Sequence, residues 1–285
     1  MILIFQPFKG FALDSDRAAW AEYRALEKAR FTPTGEKFIK KLITEFGMPP
    51  PPPEGSGVMH PSPYLNVYAY PEELDAAYLA VRPLPPKWAR FDHFIRVSEK
   101  ASEGNFSLPE EFLSGPGKLV YVSMGSMGCA DLDLMKRLIS IFSKSAHRFI
   151  FSLGPMADQL QPLLSGNMWG SSFVPQTAVL PLVNLVISHG GNNTFIETLY
   201  FGKPILVTPL FGDQRDNAQR VTEAGYGSRI SPYHCTEAEL LTKVDQLLGD
   251  EAMKERVKAL SIRLQASNST EKAALAVEAL AVAKK

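Results

Sequence analysis

Three short loops hold the residues whose types and spacing could do chemistry. The first, Ser188-His189-Gly190-Gly191-Asn192-Asn193-Thr194, runs from an apolar segment directly into a helical pattern that continues through Glu197. Two glycines let a ligand approach the main chain closely, and a helix start offers unpaired N–H groups and a favourable dipole end to an anion. Diphosphate suits such a seat. His189, Asn193 and Thr194 can add side-chain donors to its oxygens, and Glu197, one turn on, can accept from vicinal hydroxyls such as those of a ribose. A plainer reading fits the same residues: a tight Gly-Gly turn, a helix capped by Asn193 or Thr194, and a packed His189. The loop is not of the Walker type, which requires Gly-x-x-x-x-Gly-Lys-Ser/Thr.

The second loop, Gly125-Ser126-Met127-Gly128, precedes a helix whose first turn carries Asp131 and Asp133. Its amides and the Ser126 hydroxyl can face a phosphate, although acidic residues already complement that helix dipole. The third, Gly212-Asp213-Gln214, sets an acceptor-only carboxylate beside an amide that both donates and accepts. The pair suits a ring of sugar hydroxyls; Asp213 as a simple helix N-cap is the alternative.

The elements that position these loops follow from the hydrophobic pattern. Lys118 to Met124, Arg148 to Leu153, Asn184 to Ser188 and Pro204 to Pro209 read as strands. Asp131 to Lys144, Asn193 to Phe201 and Asp213 to Ala224 read as helices, the first with Leu134, Leu138, Ile141 and Phe142 on one face. Thr236-Glu237-Ala238-Glu239 predicts a capping box ahead of Leu240, Val244 and Leu247. Alternation of this kind predicts an α/β fold with a parallel sheet covered on both faces, and ligands bind such sheets beyond the carboxyl ends of the strands. All three loops follow strands and fall on that edge.

The N-terminal part reads differently. Of 22 prolines, 15 lie in the first 116 residues, so that part is punctuated rather than regularly layered. Arg17 to Arg30 and Thr34 to Phe46 carry helical patterns, Pro49 to Pro53 must be extended, Tyr64 to Tyr70 reads as a strand, and Pro83 to Trp88 as a stiff connector. The expected divisions are 1–116, a partial N-terminal domain; 117–265, a Rossmann-like domain; and 266–285, a tail helix.

Composition narrows the function. With 285 residues, 30 basic against 30 acidic side chains and 45% hydrophobic content, the chain reads as globular. No generic electrostatic grip on nucleic acid or anionic lipid is expected from a formal net charge of zero. The two cysteines, Cys129 and Cys235, are too few for a disulfide framework or a cysteine-rich zinc site and fit a reducing compartment. No run suggests a membrane span, and Met1 to Phe8 lacks a basic flank, so no signal peptide and a cytoplasmic location are expected.

The order from Phe173-Val174-Pro175-Gln176 through His189-Gly190-Gly191-Asn192-Asn193-Thr194 and Glu197 to Gly202-Lys203-Pro204 and Asp213-Gln214 resembles the signature of the UDP-dependent glycosyltransferases that make small-molecule glycosides. That family holds the animal UDP-glucuronosyltransferases and plant UDP-glucosyltransferases. Weaker similarity extends over Leu119 to Gly128 and, to invertebrate members, over Tyr64 to Asp75 and Leu84 to Arg96. The resemblance implies a GT-B fold, two Rossmann-like domains face to face, of which this chain holds one complete and one partial. It also implies a set of donor contacts. Phe173 stands where the family has a Trp stacked on uracil, and Gln176 matches the residue facing the base. His189, Gly191, Asn193 and Thr194 match the diphosphate seat, with Ser126 in the Gly-Ser loop. Glu197 matches the ribose acid, and Asp213 with Gln214 matches the pair on the donor sugar. From Gln176 to His189 the spacing is shorter than in plant and vertebrate members and is similar to that in bacterial ones.

The implied activity is inverting transfer of a hexose from a UDP-sugar to a hydroxyl of a small lipophilic acceptor. It needs no metal and no cofactor, the UDP-sugar being a co-substrate. In the family a His after the first N-terminal strand deprotonates the acceptor. Neither His60 nor His93 sits in a strand–Gly–His–helix context, and the chain is expected to lack that segment, so no catalytic base is assigned. Two other readings stand beside this one: a non-catalytic module that keeps the nucleotide pocket, and a GT-B enzyme of another class, such as a nucleotide-sugar epimerase or amino-sugar transferase.

Overall fold

The computed structural model describes residues 10–50, 61–95 and 107–282. The Pro51 to Pro53 part of the proline run, His60 and Ala283 therefore lie outside the described residues. Six strands form one parallel sheet: β3 (Leu119–Ser123), β4 (Arg148–Ser152), β5 (Met168–Ser171), β6 (Leu185–Ser188), β7 (Ile205–Val207) and β8 (Gly227–Arg229). Their spatial order is β5-β4-β3-β6-β7-β8. From β3 the chain builds outward one way, then returns to the middle and builds the other way. The reversal between β3 and β6 is the switch point of a Rossmann-like sheet, where a crevice opens beyond the carboxyl ends.

The central strands are buried on both faces. Val120, Val122, Phe149, Ile150, Phe151, Leu185, Val186, Ile187, Ile205, Leu206 and Val207 have no exposed surface, which is why these segments read as continuous apolar runs rather than alternating ones. The flanking helices start where local chemistry predicts. Asp131 caps α5 (Leu132–Phe142) by accepting from Leu134 N at 3.0 Å. Thr236 and Glu239 form the capping box of α10 (Glu237–Gly249), followed by α11 (Glu251–Gln265) and α12 (Ser269–Val282).

Four expectations change. Arg17 to Arg30 and Thr34 to Phe46 are one helix, α1 (Arg17–Phe46), that passes through Pro33. A proline removes one hydrogen bond of the ladder, and here the helical turns on either side continue. Gly125 to Gly128 is not an open loop but a single helical turn, α4, closed by Cys129 N on Gly125 O at 3.1 Å. The donor-loop helix, α8 (Asn192–Tyr200), starts one residue early with Gly191 at its N-cap, so neither Asn193 nor Thr194 caps it. Strands β5 and β8 had no signal of their own, being short edge strands that each include a glycine.

The N-terminal part supplies α1, β1 (Asn66–Ala69), α2 (Glu72–Val81) and β2 (Trp88–Phe91), with α3 (Glu110–Leu113) leading into β3. β1 and β2 pair in parallel, and α12 packs beside β2, where Asp92 N donates to Ser269 Oγ at 3.1 Å. The remaining short turns are α6 (Ala157–Leu160) and α7 (Gln176–Val179).

What joins this unit to the Rossmann-like half is α9 (Gln214–Glu223). Its sequence, Gln-Arg-Asp-Asn-Ala-Gln-Arg-Val-Thr-Glu, is almost wholly polar, yet Gln214, Asp216, Asn217, Gln219 and Arg220 are all buried. Burial of such a helix requires paired side chains. Arg220 meets Asp75 at 2.5 Å and lies over the rings of Tyr70 and Tyr78, 5.0 and 4.2 Å from their centroids. Tyr68 donates its hydroxyl to the other Asp75 oxygen. Removing one partner of a buried pair leaves an uncompensated charge. Arg220→Met is therefore expected to lower stability by about 3–5 kcal/mol, with Asp75→Leu/Arg220→Met less destabilised than Arg220→Met alone. Urea denaturation of both variants checks this.

Candidate functional site

The three loops that the spacing singled out meet at the switch point. A cleft of about 700 Å³ is lined by Gly125, Ser126 and Met127 beyond β3, by His189, Gly191, Asn192, Asn193 and Thr194 beyond β6, and by Phe211, Asp213 and Gln214 beyond β7. Seven of the expected donor residues, Ser126, His189, Gly191, Asn193, Thr194, Asp213 and Gln214, thus share one cavity. Phe173, Gln176 and Glu197 lie outside its wall, the last two linked to it by hydrogen bonds. Thr194 Oγ1 donates to Gln176 Oε1 at 3.2 Å, and Gln176 Nε2 donates to Glu197.

The start of α8 is built for an acceptor that the protein does not itself provide in full. Gly191 has no capping side chain, and Phe195 is the first residue to bond back, to Gly191 O at 3.0 Å. The Asp213 carboxylate faces the Asn192 N–H, which favours its ionised form. Those of Asn193 and Thr194 remain for an anion at the cleft.

Backbone geometry holds His189 there. Gly190 has φ +82° and a Cβ on it would strike Val207; Gly125 has φ +69° and a Cβ would come within 2.6 Å of the imidazole. A Cβ on Gly191 would also collide with that ring. The second glycine of the pair therefore makes room for His189, not only for a ligand. Ser188 Oγ accepts from Gly190 N at 3.3 Å and stands 3.2 Å from His189 Nδ1. The Nε2 edge of the ring lies between the two glycines, and the Ser123 carbonyl also faces the imidazole. Burial holds the His189 pKa below its ordinary value, so the ring is a neutral single donor at pH 7.

The polar groups at the other end are tuned in the same way. Burial raises the Glu197 pKa, opposed by the hydrogen bond from Gln176. Burial pushes the Asp213 carboxyl up to about 6. Asp213 immediately precedes α9, but its side chain does not cap that helix; it reaches across to the start of α8. Gln214 differs from its expected role as donor and acceptor. Its Oε1 already accepts from Leu210 N at 2.8 Å and Phe211 N at 3.0 Å, so the amide N–H groups are what it offers a ligand. Gln176, expected to face a base, bonds Glu197 and Thr194 through its side-chain amide. Phe173 is 75% exposed.

Three residues at the cleft had not been singled out. Met127 and Phe211, 70% and 44% exposed, form apolar edges of the cleft, and Asn192 ties it to the N-terminal unit by donating to Ala69 O at 3.1 Å. No local pattern marks them, because their role comes from what lies opposite. His93, by contrast, is turned away from chemistry: it is buried against Tyr200, with Nε2 2.9 Å from Leu264 O and its pKa lowered by burial.

This architecture is of the GT-B type. Solved structures of that fold superpose on most of the chain: the glycotransferase of kitacinnamycin with a TM-score of 0.66 and 23% identity over 91% of this chain and 67% of that one, and the calicheamicin glycosyltransferase CalG4 with a TM-score of 0.61 and 20% identity over 90% and 65%. The sequence profile described as "UDP-glucoronosyl and UDP-glucosyl transferase" matches residues 106–277, and the chain belongs to that family. Among curated relatives, NDP-glycosyltransferase YjiC of Bacillus subtilis (strain 168) is 30% identical over 162 residues, which are 56% of this chain and 41% of the relative. UDP-glucuronosyltransferase 3A1 of Bos taurus is 28% identical over 194 residues, 66% of this chain and 36% of the relative. The chain spans about half or less of the length of these two relatives. Among the described residues, no helix is long and apolar enough to cross a membrane.

A carboxyl whose pKa is raised on folding binds its proton more tightly in the folded chain than in the unfolded one. Stability then falls as pH rises from about 4 to about 6, and the deficit persists above that window. At about 1.4 kcal/mol per pH unit, Asp213 costs roughly 2–3 kcal/mol at neutral pH. Asp213→Asn is expected to be more stable than the wild type at pH 7.5 and not at pH 4, as read by denaturant midpoints at the two pH values.

Proposed function

We propose that the cleft binds a UDP-sugar and that the chain is the donor-binding part of a transferase moving a hexose to a hydroxyl of a small lipophilic acceptor. The observation that carries this reading is the uncapped start of α8 facing the Gly125–Gly128 turn across the switch point, with Asp213 and Gln214 closing one end. In this reading the N–H groups of Asn193 and Thr194, with His189 Nε2 and the Ser126 hydroxyl, hold the diphosphate. Phe173 stacks on the uracil. Glu197, steadied by Gln176, accepts from the ribose, and Asp213 with the Gln214 amide addresses the sugar. Helix amides and neutral donors would stabilise the departing diphosphate, so inversion at the anomeric carbon proceeds without a metal. A diphosphate sugar held in this way needs no basic surface, in keeping with the neutral net charge.

Calorimetric titration tests the reading. Wild type is expected to bind UDP and UDP-glucose; Glu197→Ala should weaken both, and Asp213→Ala should weaken UDP-glucose more than UDP. Absence of UDP binding, or binding indifferent to both substitutions, would sink it.

His93 favours a second reading, a nucleotide-sugar-binding module without acceptor activation. It is a histidine of the acceptor-side unit, and both its burial and its bond to Leu264 O remove it as a base. Detection of glycosylated product with phenolic or alcohol acceptors and UDP-glucose would exclude that module.

A further inference from the structure

One buried side chain joins the loop before α8, the Asp213 carboxylate and the N-terminal unit. Asn217, on α9, is 1% exposed. Its Nδ2 donates to Gly190 O at 2.8 Å, in the loop that leads into α8, and lies 3.3 Å from Asp213 Oδ2. Its Oδ1 accepts the Tyr70 hydroxyl at 2.9 Å, from just beyond β1. Both amide hydrogens and the carbonyl are thus engaged. The orientation is determined: a flipped amide would set its oxygen against the Gly190 carbonyl and the Asp213 carboxylate together. Tyr70 is fixed in turn by its stack on Phe195 of α8, with ring centroids 5.9 Å apart.

We propose that Asn217 is a positioning residue that aims the Asp213 carboxylate at the donor sugar, with Gly190 and Tyr70 as its anchors. The inference rests on the donor-site reading above and goes beyond it by naming what holds the sugar-facing acid in place. Asp213 does not cap its own helix, so its direction is not set by the opening N–H groups of α9. It is set by the Asn217 amide, with the Asn192 N–H facing the same carboxylate. The anchors also make the carboxylate sensitive to the N-terminal unit, because the Tyr70 hydroxyl belongs to that unit and occupies the oxygen of the same amide. Around Asp213 the titratable groups are Asp216 on α9, which raises its pKa, the buried Tyr70 hydroxyl, and the neutral His189 lining the same cleft.

The test uses Asn217→Leu, close in shape but without polar atoms, and Asn217→Asp, the same shape with the donor replaced by an acceptor. UDP and UDP-glucose affinities are measured from pH 5 to 8, and the Asp213 side-chain carbon is titrated by NMR in the ligand-free proteins. Both variants are expected to lose about tenfold in UDP-glucose affinity with UDP affinity nearly unchanged, the worth of one charge-assisted hydrogen bond. Loss of a donor to the carboxylate also moves the Asp213 midpoint upward from about 6. Equal losses for UDP and UDP-glucose, or an Asp213 midpoint unmoved in both variants, would overturn the positioning role and leave the donor site standing. The midpoint is read without ligand, so it decides the Asn217–Asp213 link even where affinity is lost through misfolding of one variant. A wild type that binds neither nucleotide would overturn the donor-site reading itself and this inference with it.

Discussion

The structure depends on the uncapped start of α8. A helix that begins at the carboxyl edge of a parallel sheet, in the crevice between β3 and β6, leaves its opening N–H groups without intrahelical partners. At three other helices a side chain meets that need: Asp131 at α5, Thr236 at α10, Asp250 at α11. At α8 the N-cap is Gly191, which has none to give. The Asp213 carboxylate meets part of the demand from another strand's loop. Much around the cleft follows from keeping that end open: Gly190 at positive φ against Val207, Gly125 and Gly191 clearing the imidazole, and Gln214 folding the 210–214 loop back on its own amide.

A second constraint is the burial of α9. A helix of that composition cannot be a core element through its apolar surface and is buried only because another polar surface answers it. Asp75, Tyr68, Tyr70 and Tyr78 provide that surface, and Arg220 and Asn217 are the side chains that receive it. The same helix follows directly on Asp213. Packing of the N-terminal unit and placement of a cleft carboxylate are therefore parts of one hydrogen-bonded network rather than two separate features.

Legibility in the sequence followed the range of the interactions. The β3, β4, β6 and β7 runs, the α5 stripe and the Thr236–Glu239 box are local patterns, and they were readable because backbone geometry imposes period and capping chemistry over a few residues. β5 and β8 were not: Met168–Ser171 and Gly227–Arg229 pair only because a neighbouring strand already exists. Among site residues, the glycines, His189 and Asp213 stood out by spacing. Asn217 did not, because its partners at 70, 190 and 213 come from three separate segments. The contact between the Gln176 and Thr194 side chains, 18 residues apart, had no local signal either.

By itself the sequence determined the class of fold, the sheet edge on which the loops fall, and which residue types could meet a phosphorylated sugar, since strand hydrophobicity and loop composition are properties of contiguous residues. Only the tertiary structure decided how those residues are used. It set His189 Nδ1 against Ser188 Oγ and turned the Gln214 carbonyl inward. It bonded Asp213 to the Asn217 amide rather than to the opening N–H groups of α9 and withdrew His93 from any role as a base. Each of these depends on which polar group lies opposite in a low-dielectric interior, where an unpaired donor or acceptor is costly, and that neighbour is set by the packing of elements distant in the chain.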